Sequence, residues 1–384
     1  MSFVTWDIFC RVVDNFGDIG VCWRLARQLV AEHRFNVRLW VNDLETFARI
    51  SPAVEATLDR QALDGIDIYR WRERFSDIVP GDVVIEAFGC ELPANFKRAM
   101  AEKSKAPAWI NLEYLSAESW VSGTHGLPSP HGALIKYFFF PGFVTETGGL
   151  LRERDLLDKR KRFQAEPVLQ AAFWQSLGIA MPQPNELRVS LFCYENPALP
   201  ALLQQWSRGT TPVTCLVPKG TATKALEEFF AAPICESAQI FTAGKLTLHL
   251  MPFLEHERYD QLLWACDLNF VRGEDSFVRA QWAARPFVWH IYPQNDNAHR
   301  IKLDAFLALF CSHMPAASAD ALRSFWRGWN GDGLAPTAWG EWLESRASIA
   351  SQASHWVEAL PRQADLATAL VNFTSDLLKY RVST

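Results

Sequence analysis

No run in the sequence approaches the ~20 consecutive apolar residues of a membrane-spanning helix. The most aromatic stretch, Tyr137 to Phe140, is bounded by Lys136 on one side and by Pro141 and Gly142 on the other. The N-terminus lacks a basic segment leading into an apolar one and carries Asp7, Asp14 and Asp18 instead, so no export signal is expected. An excess of positive charge is missing too. At a formal net charge of −5, no general field draws the chain onto nucleic acid. C-x-x-C pairs and the short Cys/His spacings of zinc sites are absent; Cys10, Cys22, Cys90, Cys193, Cys215, Cys235, Cys266 and Cys311 are scattered through hydrophobic stretches and read as reduced, buried thiols. Also lacking are G-x-G-x-x-G, the P-loop, H-E-x-x-H, Asp-x-Asp and G-x-S-x-G. A dinucleotide cofactor, a catalytic metal and a serine nucleophile are therefore unsupported. The expectation is a cytoplasmic protein with no membrane partner and no direct nucleic-acid contact.

What is present is a globular composition, 49% hydrophobic and 21% charged, on a chain of 384 residues, enough for two domains. Strand-like runs at 3–13, 36–41, 66–69, 83–87, 109–112 and 136–140 alternate with helical patterns, the first of them over 21–33. Pro182 and Pro184 then interrupt the pattern, and it restarts. Strands are expected at 187–193, 213–217, 246–250, 268–271 and 286–291, with helices at 199–206, 223–230, 259–265, 277–283 and 298–307. The tail over 320–380 reads as helical. This predicts an α/β protein of two Rossmann-like domains, 1–180 and 185–360, facing a central cleft, where open α/β sheets bind their ligands.

Two loops stand where a strand gives way to a helix. The first, 14–20, sets Asp14 and Asp18 beside a helix N-terminus with Gly17 and Gly20 in the turn. Asp18 as an N-cap with Asp14 in the turn is one reading, and a general base for an acceptor is the other. In the second loop, 272–276, Gly273 allows a tight turn and the N–H groups opening the next helix could hold a diphosphate. Arg272 could pair with a phosphate or a base carbonyl, Ser276 could donate, and Glu274 could accept from sugar hydroxyls or could cap the helix beside Asp275. Phe192, Tyr194 and Phe253 follow predicted strands, where they could stack on a base or fill the core.

The DNFGDIG segment at 14–20 and RGEDSFVRAQWAARPFVW at 272–289 resemble the bacterial elongation factor P arginine rhamnosyltransferases (EarP), and the similarity runs the length of the chain. The resemblance implies a GT-B glycosyltransferase, inverting and metal-independent, with no cofactor. It implies transfer of L-rhamnose from dTDP-β-L-rhamnose to an arginine guanidinium of elongation factor P, which relieves ribosome stalling at polyproline. Asp14, Asp18 and Glu274 match the family's catalytic acids. Arg272, Gly273, Asp275 and Ser276 match its nucleotide-binding loop, and Phe192, Tyr194 and Phe253 look like its thymidine pocket. It also returns the terminal helix, about 361–384, to the first domain. A GT-B enzyme for another sugar nucleotide or a small-molecule acceptor, and a non-catalytic nucleotide-sugar-binding regulator, are the competing readings.

Overall fold

The apolar runs of five or six residues are too short for helices and form the strands, as a computed structural model of the chain shows. The structure describes residues 4–14, 16–72, 78–220, 222–234, 239–293 and 296–380. It divides into two units, Met1–Arg154 with Leu360–Thr384 and Asp155–Ala359.

In the first unit the elements run β1 (Thr5–Cys10), α1 (Gly17–His33), β2 (Asn36–Val41), α2 (Leu44–Ile50), β3 (Arg60–Leu63), β4 (Ile66–Arg70), β5 (Val83–Ala87), α3 (Ala94–Glu102), β6 (Ala108–Leu112), α4 (Val121–Thr124), β7 (Pro128–His131) and β8 (Leu134–Phe139). The sheet order is β3-β4-β2-β1-β5-β6-β8-β7, parallel from β4 to β8. The chain lays strands outward on one side of β1, then returns to pair β5 on its other side. The β1/β5 boundary is thus a topological switch point, where such sheets place ligands at the carboxyl ends of the strands. Central β1 is covered on both faces and buries even Asp7. That carboxylate accepts two hydrogen bonds from the Arg38 guanidinium (2.7 and 2.6 Å), one from Trp40 Nε1 (3.0 Å) and one from the Gly81 N–H (2.7 Å).

The second unit contains α5 (Leu156–Ala165), α6 (Pro167–Ser176), β9 (Leu187–Leu191), α7 (Leu199–Arg208), β10 (Val213–Pro218), α8 (Thr223–Phe230), β11 (Gln239–Ala243), β12 (Leu246–Met251), α9 (His256–Ala265), β13 (Leu268–Arg272), α10 (Asp275–Trp282), β14 (Phe287–His290), α11 (Ala298–Phe310), α12 (Ala316–Arg327) and α13 (Ala338–Ala359). Its sheet, β11-β12-β10-β9-β13-β14, is parallel except for β11 and has its switch point between β9 and β13. Two doubly wound units in one chain are the make-up of a GT-B protein.

The unit boundary lies before α5, not at Pro182 and Pro184 as the linker composition suggested. Helix α5 packs on α9: Phe163 meets Trp264 edge-on at 5.7 Å, and Gln164 Nε2 donates to the carbonyls of Trp264 (3.1 Å) and Ala283 (2.9 Å). An amphipathic helix carries no mark of which core it will cover, so the sequence alone places 155–180 with the strands it follows. The last helix, α14 (Leu366–Tyr380), packs on α1 and β6 in the first unit. Gln28 Nε2, on α1, donates to Asp365 Oδ1 and to the Arg152 carbonyl, both at 2.9 Å. Among the described residues no helix is long and apolar enough to cross a membrane. Seven of the eight cysteines are free and buried; Cys235 lies outside the described residues.

Candidate functional site

In the first unit, α1 starts at Gly17, four residues before the expected Val21, so Gly17 and Gly20 lie inside the helix. The cause is Asp18. Its side chain turns back, and Oδ2 accepts the N–H groups of Val13 (2.8 Å) and Asp14 (3.0 Å), while the Asp14 carbonyl accepts the Gly17 N–H (2.8 Å). This strap draws the end of the β1 loop onto the first helical turn and brings Asp14 and Asp18 together. Asp18 is therefore no N-cap: that position belongs to Phe16, which makes no side-chain cap bond. Both carboxylates are buried, Asp18 at 1% exposure. Burial pushes the Asp18 carboxyl above its ordinary range, and the hydrogen bonds from Asp14, Val13 and Tyr114 pull it partly back.

Sequence reasoning missed Tyr114 and Phe88. Tyr114, two residues beyond β6, donates its hydroxyl to Asp18 Oδ1 at 3.2 Å, and its ring stacks on Phe88 at 4.4 Å. Phe88 follows β5, the neighbour of β1, and Tyr114 follows β6, the next strand out, so both sit at carboxyl ends of strands near the switch point, a placement that only the strand order reveals.

In the second unit, the loops after β9 and β13 flank the other switch point. The Arg272 guanidinium lies over the rings of Phe192 (4.4 Å) and Tyr194 (4.8 Å), and Nη1 donates to the Cys193 carbonyl at 3.2 Å. Phe253 meets Phe192 edge-on at 5.9 Å, so the three expected aromatics and the arginine form one cluster. Gly273 has φ +58°, and its carbonyl accepts Trp289 Nε1 at 2.8 Å. Ser276 has a different task from the one expected: its hydroxyl accepts the Arg272 N–H at 3.0 Å and donates back to the Arg272 carbonyl. It closes the turn. Glu274 stands at the N-cap position of α10 without making a cap hydrogen bond, which removes the helix-capping reading of its side chain.

Helix α10 begins at Asp275, so its N-terminus lies beside this cluster, next to Arg272 and Ser276. The helix is clamped from behind by the buried pair Arg279–Asp260, bonded at 2.9 and 2.6 Å. Buried Asp275 lies 4.0 Å from His256 Nε2. His290, also missed, pairs in register with Arg272 and lies edge-on to Tyr194 at 5.1 Å. Burial, then Arg272 and His299, push its pKa down to about 3, so it is a neutral imidazole at physiological pH. The first unit thus presents a buried carboxylate suited to accepting a proton. The second presents a cation among aromatics beside a helix N-terminus, suited to a nucleoside diphosphate.

A family model described as elongation factor P (EF-P) rhamnosyltransferase EarP matches residues 6–375. The protein-arginine rhamnosyltransferase of Pseudomonas aeruginosa is 47% identical over 376 residues, covering 97% of this chain and 100% of that protein. The protein-arginine rhamnosyltransferase of Pseudomonas putida is 48% identical over 370 residues, 96% of this chain and 98% of its own. A solved structure, described as the structural basis for EarP-mediated arginine glycosylation of translation elongation factor EF-P, is similar over 97% of this chain and 99% of that one, with 36% identity and a TM-score of 0.70.

Proposed function

The chain belongs to the elongation factor P rhamnosyltransferase (EarP) family, and from that premise we propose that it transfers L-rhamnose from dTDP-β-L-rhamnose to an arginine guanidinium of elongation factor P. It is a protein-arginine rhamnosyltransferase, a glycosyltransferase. The observation that carries the catalytic reading is the Asp18 carboxylate, held by two backbone N–H groups and one hydroxyl at the switch point of the first sheet. A regulator that only bound nucleotide sugar would have no use for it.

The acceptor chemistry explains the need. A guanidinium has a pKa above ~12, and its delocalised lone pairs make it a poor nucleophile. A carboxylate cannot strip the proton outright. Within hydrogen-bond reach it can hold the group, oppose its delocalisation and take the proton as the new C–N bond forms. We assign Asp18 as that base, Asp14 as the residue that positions it or the acceptor, and Glu274 as the third acid, accepting from sugar hydroxyls. The nitrogen attacks the anomeric carbon as the C–O bond to the diphosphate breaks, which inverts the centre and gives an α-linked rhamnose. Arg272, with the N–H groups that open α10 at Asp275, takes up the charge of the leaving dTDP, and Phe192, Tyr194 and Phe253 receive its base. No metal is needed in this scheme, and excess EDTA should leave the rate unchanged; a rate restored only by added Mg²⁺ would count against it.

Incubation with elongation factor P and dTDP-β-L-rhamnose, followed by intact-mass measurement of the factor, tests the whole reading. One added deoxyhexosyl unit is expected, lost when the acceptor arginine is replaced by lysine. An unchanged mass under conditions where dTDP binds would favour the regulator.

A further inference from the structure

Asp18 is bound in a way that leaves it little freedom. A carboxylate offers about four lone-pair positions. Among the described residues, Val13 and Asp14 fill those on Oδ2 and the Tyr114 hydroxyl takes one on Oδ1, which leaves a single direction for an incoming N–H. Tyr114 is itself held. Its ring stacks on Phe88 with 17° between planes, and the Phe88 N–H donates to the Leu112 carbonyl at 2.7 Å, at the end of the strand that delivers Tyr114. Phe88 sits at φ +56°, a left-handed conformation that is unfavourable for a non-glycine residue and persists only where the surroundings impose it.

From this arrangement we propose that Tyr114 is a positioning residue for the transfer step, aiming the one open lone pair of Asp18 at the acceptor nitrogen and holding the carboxylate in its charged form. The proposal rests on Asp18 being the base. Among the described residues, Cys10 on β1 lies near the carboxylate, with Cys22 on α1 and Cys90 after β5 acting on Cys10, and Asp14 stands in the same loop as Asp18. Burial raises Cys10 and Cys90, which stay neutral thiols, so among the described residues Tyr114 supplies the side-chain hydrogen bond that stabilises the Asp18 charge.

Tyr114→Phe keeps the ring and its stack and deletes only the hydroxyl. It should lower kcat by about tenfold, the worth of one well-placed hydrogen bond, with KM for elongation factor P and affinity for dTDP nearly unchanged. The acid limb of the kcat profile should move to higher pH, because the charged carboxylate has lost a donor. Added to Asp18→Asn, Tyr114→Phe should cost nothing further, since it acts through a carboxylate that is no longer there. Wild-type kcat with an unmoved acid limb, or a full additional loss in the double variant, would overturn the role of Tyr114. Substantial transfer by Asp18→Asn alone would instead overturn Asp18 as the base, so the two failures are told apart.

Discussion

A buried carboxylate is a stability cost at neutral pH, and Asp18 shows where it falls. Its folded pKa is raised, so the native state binds the proton more tightly than the unfolded chain does. Its contribution to stability is then greatest below the ordinary carboxylate pKa and is lost as pH rises through the raised value. Asp18→Asn removes that loss. The amide oxygen can still accept the N–H groups of Val13 and Asp14, and the Tyr114 hydroxyl can rotate to accept from the new NH2. The variant should bind dTDP normally, lose transfer by ~10²-fold or more, and melt at or above the wild-type temperature at pH 7, an advantage that fades on acidification. Transfer near wild type, or a variant much less stable at pH 7, would count against this account. For the donor, Arg272→Ala should weaken dTDP by roughly ten- to a hundredfold in calorimetry, through lost charge-assisted bonding; unchanged affinity would take Arg272 out of the site. Of these residues, those in the two loop motifs were legible in the sequence because glycine and acid spacing marks a strand-to-helix turn. Tyr114, Phe88 and His290 were not. Each is one aromatic or imidazole among many, placed only by strand order.

The elements themselves were mostly readable, and the misses share a cause. Central parallel strands such as β5 and β9 are buried throughout, and runs dominated by Val, Ile and Leu announce them even though β5 carries Glu86 and β9 carries Arg188 and Ser190. The antiparallel edge strands β3, β7 and β11 left no such run: they are short, half-exposed and polar, and β7 holds Pro128 and Pro130, which suit only an edge. The starts expected for α7, α8 and α11 agree with the structure, whereas α1 and α10 begin before the expected Val21 and Phe277; at α1 the Asp18 side chain, bonded to backbone N–H groups, builds the first turn with no apolar period. The docking of α14 shows how far such local detail reaches. Its N-terminus is fixed by Asp365, which accepts from the Thr368 N–H at 3.0 Å and from Gln28, and by the Leu366 N–H donating to the Leu150 carbonyl at 3.0 Å. Gly149 makes that approach possible: at φ +70°, a Cβ there would lie 2.2 Å from the Ala364 carbonyl oxygen. Gly149→Ala should therefore release the helix, seen as faster amide exchange across 366–380 and a lower melting temperature. Protection equal to wild type would show that the last helix docks without this contact.

Across the whole molecule the two sheets divide the chemistry by charge. The first switch point buries acids and the second gathers a guanidinium with backbone donors, so acidification acts on them in opposite senses. Protonating Asp18 relieves the first unit, whereas protonating His290 strains the second. The His290 imidazole is 6% exposed, with Arg272 and His299 as like-charged neighbours, and its pKa lies at about 3 against the ordinary 6.5. The unfolded chain takes up that proton near pH 6.5 and the folded chain does not. Stability from His290 is therefore complete above pH 6.5 and falls as pH drops toward 3, by about 1.4 kcal/mol per unit, or about 2 kcal/mol at pH 5. His125 and His249, also held low by burial, add to the loss in the same direction. Against a net stability of roughly 5–15 kcal/mol, this is a large share. His290→Gln keeps a polar planar group in the same place and cannot titrate. The difference between urea midpoints at pH 7 and pH 5 should shrink in the variant by the equivalent of about 2 kcal/mol. Saturating dTDP should offset the wild-type loss, since a ligand that binds only the folded site stabilises it by mass action. If the wild type and His290→Gln lose stability equally over that range, the imidazole is already charged in the folded protein, and the second unit tolerates two cations beside Tyr194.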